Sequence, residues 1–201
     1  MEPTFLNNGV FFREKYNDYA TLLKGRLSEK RFYHSLAVAK EALRLAQKYG
    51  ANEEKAFLAG LLHDICKDTP PNEQLQLFSE FGIILSALEK SAFKLWHAMS
   101  GAGYIKNVLN IKDDEIISAV RYHTTAKSGM TLLEKIIYLA DFTSEDRDYE
   151  GADEMRIAVD KGLDYAMREA VIFTVEDLNK KGMPVHEDTL NAYREIVKKE
   201  F

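Results

Sequence analysis

The chain has 201 residues, of which 46% are hydrophobic, and a formal net charge of −5. A chain of this length fits one compact domain and can bury roughly 70% of its unfolded surface, so it needs no disulfide bridges. The acidic balance without a basic block argues against nucleic-acid binding, and no apolar run approaches the ~20 residues of a membrane-spanning helix.

The amino terminus and the cysteine content predict a cytoplasmic protein. The first five residues, Met1 to Phe5, lack the basic start and the apolar stretch of a secretory signal peptide. The single cysteine, Cys66, lies within an apolar run and is expected to be a buried thiol in a reducing compartment.

Apolar residues at helical spacing recur along almost the whole chain, with no convincing strand-like alternation. We therefore expect an all-α fold, a helical bundle in a single domain over residues 1–201. Prolines, glycines and a capping-box pattern at 131–134 mark helix ends. The predicted helices cover residues 31–49, 56–66, 73–81, 91–108, 113–123, 131–141, 153–181 and 188–199.

His63 and Asp64 interrupt the otherwise apolar run over residues 56–66. An unpaired imidazole or carboxylate in a buried helix costs roughly 1–3 kcal/mol. These two side chains must therefore meet polar partners elsewhere in the chain.

Four further residues offer such partners. Val120 and Ile116 share a helical face with His123, which turns that imidazole inward, and Asp141 closes another apolar run. Imidazole and carboxylate together form a ligand set for Zn, Fe, Mn or Co. The pattern therefore predicts a metal site, with room for two ions, built from His34, His63, Asp64, His97, His123 and Asp141.

Four sequence blocks contain most of these residues. The blocks are His63-Asp64-Ile65-Cys66-Lys67, Trp96-His97-Ala98-Met99-Ser100-Gly101-Ala102, Tyr122-His123-Thr124-Thr125, and Leu133 to Phe142 followed by Glu145 and Arg147. In this order they resemble the HD superfamily of metal-dependent phosphohydrolases, which has an all-helical fold, and within it they are similar to the HD-domain type of symmetrical bis(5'-nucleosyl)-tetraphosphatase. The resemblance covers about residues 31–151 and leaves a helical C-terminal extension over 152–201. Ala98 departs from the pattern, since similar sequences often have a second histidine there.

The resemblance implies two divalent or trivalent transition-metal ions as cofactors, with iron expected and Mn, Co or Zn as alternatives. One ion would be held by His34, His63, Asp64 and Asp141, and the other by His97 and His123, with Asp64 bridging. The implied reaction splits diadenosine tetraphosphate into two ADP through attack of a metal-bridging hydroxide on an inner phosphorus. The implied partners are this small nucleotide and a second copy of the chain in a homodimer.

Besides Asp64, we expect Lys67 to take part in catalysis. Lys67 follows Asp64 by three residues, so in a helix its ammonium would reach a phosphate bound at the metals. Arg147 could grip a phosphate with its guanidinium, and Thr124 could contact one through its hydroxyl. Arg31 and Lys127 carry no stronger signal than other surface charges, and His186 is expected at the surface.

Two alternatives remain open at this point. Another HD phosphohydrolase would act on a mononucleotide or a different phosphate ester, although a mononucleotidase needs only one ion. A non-catalytic metal- or nucleotide-sensing module would use the fold to recruit a partner, although the intact ligand set and Lys67 argue against it. The number of metal ions bound per chain distinguishes these functions: about two would favour the tetraphosphatase, one would favour a mononucleotidase, and none would favour the sensing module.

Overall fold

The structure is a computed structural model that describes residues 3–5, 11–13 and 16–198. Within these residues it contains eleven helices and one two-stranded antiparallel ribbon, so the expected all-α class is confirmed. The elements are β1 (Pro3–Phe5), β2 (Phe11–Arg13), α1 (Asn17–Arg26), α2 (Glu29–Tyr49), α3 (Glu53–Leu62), α4 (Pro71–Phe81), α5 (Ala87–Ser91), α6 (Phe93–Asn107), α7 (Asp114–Tyr122), α8 (Leu132–Thr143), α9 (Ala152–Lys161), α10 (Leu163–Lys180) and α11 (Glu187–Lys198).

The short ribbon near the amino terminus was not expected from the sequence. Strands β1 and β2 pair in register, with Thr4 opposite Phe12. Each strand is only three residues long, which is too short for an alternating pattern to be recognised.

Helices α2 and α3 form an antiparallel pair at an unusually close approach. Gly50 ends α2 in the left-handed conformation, with φ 74°, and Asn52 caps α3 by accepting a hydrogen bond from the Lys55 backbone N–H. At the crossing, a Cβ on Gly60 would lie 2.9 Å from the Ala39 Cα. The two backbones can be this close only because residue 60 has no side chain.

Helix α8 lies at the centre of the molecule. Five consecutive residues, Ile136 to Ala140, have no exposed surface, and α8 packs against α2, α3, α7, α9 and α10. Its start is the predicted capping box, in which Thr131 and Glu134 exchange hydrogen bonds with each other's backbone N–H. The carboxyl end of α8 thus carries Asp141 out of the core.

Two predicted helix boundaries were wrong. The helix expected over residues 153–181 is divided at Gly162, where the extended backbone ends α9 and begins α10. The helix expected over 56–66 ends at Leu62, and residues 63–68 form a run of turns. The second correction moves His63, Asp64 and Lys67 off the helix. None of the described helices is both long and apolar enough to cross a lipid bilayer.

Candidate metal centre

Asp64 lies at the centre of a buried cluster of imidazoles, and its two oxygens face in different directions. Its Oδ2 lies 3.6 Å from His63 Nε2 and 3.9 Å from His34 Nε2. Its Oδ1 lies 3.1 Å from His97 Nε2 and 3.6 Å from His123 Nε2. One carboxylate is therefore shared between two pairs of histidines.

His63 and His123 each follow the last residue of a helix and bind back to it in the same way. His63 Nδ1 lies 2.7 Å from the Gly60 carbonyl oxygen, and His123 Nδ1 lies 2.7 Å from the Val120 carbonyl oxygen. Because a carbonyl only accepts, each Nδ1 carries the proton and donates it. The other ring nitrogen of each residue, Nε2, faces Asp64 and the cluster.

The bond from His63 also explains why α3 ends early. In a continuing α-helix the Gly60 carbonyl would accept a hydrogen bond from the Asp64 backbone N–H. The His63 side chain occupies that carbonyl instead, and the backbone turns tighten: the Lys67 N–H bonds to the Asp64 carbonyl oxygen at 2.8 Å. This turn, rather than helical spacing, brings Lys67 back towards the cluster.

His34 connects the start of α2 to the end of α8. Its Nε2 lies 2.9 Å from Asp141 Oδ1, and its Nδ1 lies 2.7 Å from Asp146 Oδ2. Asp146 was missed in the sequence, where a polar residue in a loop 112 positions from its partner gives no signal. A carboxylate behind an imidazole orients the ring and raises its basicity as a ligand.

Two of the histidines are already in the neutral form that binds a metal ion. Burial lowers the pKa of His63 to about 3 and that of His97 to about 4, so both rings are neutral at pH 7. Burial also disfavours a charge on His34, but hydrogen bonds from its ring to Asp141 and Asp146 prevail and raise its pKa to about 8. His34 therefore has to lose a proton before it can bind an ion.

Both central carboxyl groups are ionised. Burial opposes the charge of Asp64, yet the imidazoles of His63, His123 and His97 hold its pKa well below the usual range. Burial likewise opposes the charge of Asp141, and the His34 ring and the Arg147 guanidinium keep its pKa well below normal. The cluster thus combines two anionic carboxylates with the nitrogen atoms of its imidazoles.

Three cationic side chains border the cluster. Lys67 Nζ lies 3.2 Å from His97 Nε2 and 3.7 Å from Asp64 Oδ1, and burial lowers its pKa. Arg147 forms an ion pair with Asp141, and its Nε donates to the Asp141 carbonyl oxygen at 2.6 Å. Arg31 Nη1 lies 3.2 Å from Asp64 Oδ2, so Arg31 is a site residue that the sequence analysis passed over.

The residues present fit metal ions. His63 Nε2 is buried and has no hydrogen-bond partner among the described residues, as expected for a lone pair reserved for a cation. Two groups of ligand atoms lie close enough together to hold an ion. They are His34, His63 and Asp141, and His63, Asp64 and His123. Nitrogen and carboxylate donors of this kind suit Fe, Mn, Co or Zn.

The six residues expected at the metal site all lie in this cluster. They come from α2, the turn after α3, α6, the end of α7 and α8. Lys67 and Arg147 lie beside it. Thr124 follows His123 directly, and its Oγ1 is buried without a hydrogen-bond partner in the described chain. Lys127 lies away from the cluster and pairs with Glu134 at 3.1 Å.

Comparison with known proteins finds a matching family, two named bacterial relatives and a solved structure. The HD domain family matches residues 31–146. The chain is 35% identical over 175 residues, 87% of this chain and 94% of the relative, to the Bacillus subtilis (strain 168) protein named bis(5'-nucleosyl)-tetraphosphatase, symmetrical. A Staphylococcus aureus protein of the same name is 34% identical over 85% of this chain and 89% of its own length. A crystal structure from Clostridium acetobutylicum, described as a predicted HD superfamily hydrolase involved in NAD metabolism, matches with TM-score 0.88 and 34% identity over 92% of this chain and 97% of that one.

Proposed function

We propose, from the premise that this chain belongs to the HD domain family, that it cleaves diadenosine tetraphosphate symmetrically into two ADP. The chain is an HD-domain hydrolase with relatives that are named for this activity. The observation that carries the proposal is the position of Asp64, whose two oxygens each face a different pair of histidines. A shared carboxylate of this kind is suited to a pair of ions acting on one phosphate chain.

In this proposal the ions are held by two overlapping sets of residues, and iron is the expected metal. When bound, the ions supply Lewis acidity, which polarises phosphoryl oxygens and makes water a nucleophile at neutral pH. His34, His63, Asp64 and Asp141 would hold one ion, and His97, His123 and Asp64 would hold the other, as the distances from the two Asp64 oxygens suggest.

The cations around the cluster would hold the phosphate chain. Arg147 contacts Asp141, and Arg31 contacts Asp64. Each guanidinium can donate two parallel hydrogen bonds to phosphate oxygens. Lys67 would place its ammonium on the reacting phosphoryl group, where it stabilises the negative charge that grows on the leaving oxygen. The Thr124 hydroxyl, which has no hydrogen-bond partner in the described part of the chain, would donate to a further phosphate oxygen.

Symmetrical cleavage sets the position of attack. A tetraphosphate bridge yields two identical diphosphates only when water replaces the bridging oxygen at one of its two inner phosphorus atoms, so that the P–O bond between the second and third phosphates is broken. The reacting phosphoryl group must therefore be an inner one, with one nucleoside diphosphate leaving and the other retained.

Product analysis tests the reaction. Protein loaded with iron or manganese is incubated with diadenosine tetraphosphate, and the nucleotides are separated by ion-exchange chromatography. ADP as the only product supports the proposal, whereas ATP with AMP contradicts symmetrical cleavage, and no turnover contradicts the substrate. The Asp64→Asn variant, prepared in parallel, controls for contaminating hydrolases. NAD is the comparison substrate, because a solved relative is associated with NAD metabolism.

Metal content tests the two-ion assignment separately. We expect about two ions per wild-type chain by elemental analysis and about one in His123→Ala, with most activity lost and the helical content kept. One ion in the wild type, or full activity in His123→Ala, would contradict it.

The expected homodimer and the cytoplasmic location belong to the same proposal. Sedimentation equilibrium should give about twice the 23.0 kDa mass of the chain, and the mass of one chain would refute the dimer. Cell fractionation followed by immunoblotting should recover the protein with the cytoplasmic fraction, and recovery with the membrane fraction would refute the location.

A further inference from the structure

A cavity of about 570 Å³ opens directly beside the metal cluster, at Asp141 and Arg147. The Asp141 side chain, which lines this cavity, is 19% exposed, whereas that of Asp64 is 3% exposed. A volume of this size is within the range of small-molecule sites, which is roughly 300–1,000 Å³. A molecule bound to the cluster through a phosphate could therefore extend into the cavity.

One wall of the cavity is a single face of α10. Phe173, Glu176, Asp177 and Lys180 are spaced by three, one and three residues, so they lie on the same side of the helix. Helix α10 lies outside residues 31–146, the part of the chain that matches the HD domain. This wall is therefore added to the shared domain by the C-terminal extension.

Three residues of the cavity lining are aromatic. The Tyr149 and Phe173 rings lie 5.6 Å apart, and Phe142, next to Asp141, lies 6.2 and 6.3 Å from them. Phe173 is 38% exposed and does not belong to the buried core, so packing alone does not explain it. The Tyr149 hydroxyl donates to the Phe142 carbonyl oxygen at 3.2 Å, which fixes its ring against the wall.

The other α10 residues of the lining are polar. Glu176 is exposed and can accept hydrogen bonds, Lys180 can donate them, and Asp177 is paired with Lys181 at 2.5 Å. Bases and ribose carry both donors and acceptors along their edges. Exposed aromatic rings provide a stacking surface for a base of any sequence.

We infer that this cavity binds the nucleoside of one nucleotide half of the substrate, with its base stacked on Phe173 and Tyr149 and its phosphate at Arg147. The inference rests on the proposed function, since it names the part of that site which recognises the nucleoside. Phe173 is assigned as the main determinant, because it is the most exposed of the three rings. A polyphosphate without a base would gain no affinity from this cavity.

Equilibrium binding to Phe173→Ala tests the inference. By calorimetry we expect the Kd of ADP to rise about tenfold, because loss of a base–aromatic stack has an effect of that order. The Kd of inorganic tripolyphosphate should stay within about twofold, because it needs only the metals and cations. Phe173→Trp, which keeps a stacking surface, should restore ADP binding. Tyr165→Ala is the matched control, since Tyr165 is also an exposed aromatic residue of α10 but does not line this cavity.

The outcomes separate this inference from the reaction. An unchanged ADP affinity in Phe173→Ala, or an equal loss for ADP and tripolyphosphate, would overturn the nucleoside site. If the wild type fails to cleave diadenosine tetraphosphate but its ADP affinity depends on Phe173, the proposed reaction is wrong and the nucleoside site is supported. Circular dichroism melting of each variant shows that it is folded.

Discussion

At the scale of single residues, the positions of the cations are as informative as those of the ligands. Arg31 and Arg147 each contact a carboxylate, and Lys67 lies beside His97. A bound metal ion would compete with these cationic side chains for the carboxylates of Asp64 and Asp141. Metal binding would therefore release positive charge towards the substrate at the place where the phosphate chain has to bind.

Replacing Lys67 by methionine should separate binding of metal from chemistry. The side chain contributes no ligand atom to either ion in our assignment, so the metal content should be unchanged. Loss of a cation that acts on the transition state should lower kcat by roughly 100-fold. The measurements are elemental analysis and steady-state kinetics with diadenosine tetraphosphate.

Lys90→Met is the control for Lys67→Met, since Lys90 is an exposed lysine on α5 and should show wild-type kinetics. Wild-type kinetics for Lys67→Met as well would remove Lys67 from the catalytic residues. Loss of metal from Lys67→Met would instead give it a structural role.

The sequence was sufficient to select the six clustered residues, because each is a polar group placed where an apolar one is expected. It was insufficient for Arg31 and Asp146, which lie in ordinary polar surroundings of the sequence. Their role depends on contacts across 33 and 112 positions. His186 was expected at the surface, but its ring is 11% exposed and lies 3.3 Å from Glu89, a partner 97 positions away.

At the scale of helices, local sequence patterns predicted the presence of a helix better than the residue at which it ends. The capping box at Thr131 and the stop at Gly50 are local hydrogen-bond patterns, and both were predicted correctly. The end of α3 depends on the His63 side chain taking the Gly60 carbonyl, which sequence spacing does not reveal. The break at Gly162 is visible in the sequence, since glycine is a poor helix former, although apolar residues at helical spacing continue on both sides of it.

Gly60→Ala should disturb the fold and the metal cluster together. The new Cβ would lie 2.9 Å from the Ala39 Cα, a backbone atom that cannot move by itself, so α2 and α3 would separate. Overpacking of this kind costs about 1–3 kcal/mol, which corresponds to a Tm lower by roughly 2–12 °C. Because α2 carries His34 and His63 follows α3, metal affinity should fall as well.

Thermal melting and metal titration would measure both effects. Gly25→Ala in α1 is the matched control, since no described residue lies within 4 Å of the added Cβ. It should keep the wild-type metal affinity and have a Tm no lower than that of the wild type, because alanine is the better helix former. An unchanged Tm in Gly60→Ala would show that the close approach does not constrain the helices.

At the scale of the whole molecule, one buried apolar cluster extends from Tyr16 in the chain to Ala192. It includes residues of α10, such as Ala166 and Val171, although the HD domain matches only residues 31–146. We therefore propose that the HD core and the C-terminal extension fold as one cooperative unit. The extension would then support the central helix α8 as well as the cavity beside it.

Calorimetry of the full chain should show a single unfolding transition whose calorimetric and van't Hoff enthalpies agree. Adding metal at about 100 times its Kd should stabilise the fold by about 2.7 kcal/mol and raise Tm by roughly 5–10 °C. In Asp64→Asn the rise should be largely lost. Two separate transitions would contradict the single unit, and a Tm independent of metal in the wild type would contradict the site.

The way in which His63 and His123 end their helices affects how such a sequence can diverge. Each ring satisfies a carbonyl at the end of a helix, and that contribution to stability is independent of any ion. A descendant that had abandoned the reaction would still be selected to keep both histidines. Asp64 is different, because its carboxylate caps no helix end and, among the described residues, contacts only imidazoles and cations of the site. Among diverged copies of this chain, the aspartate rather than the histidines would distinguish active enzymes from inactive ones.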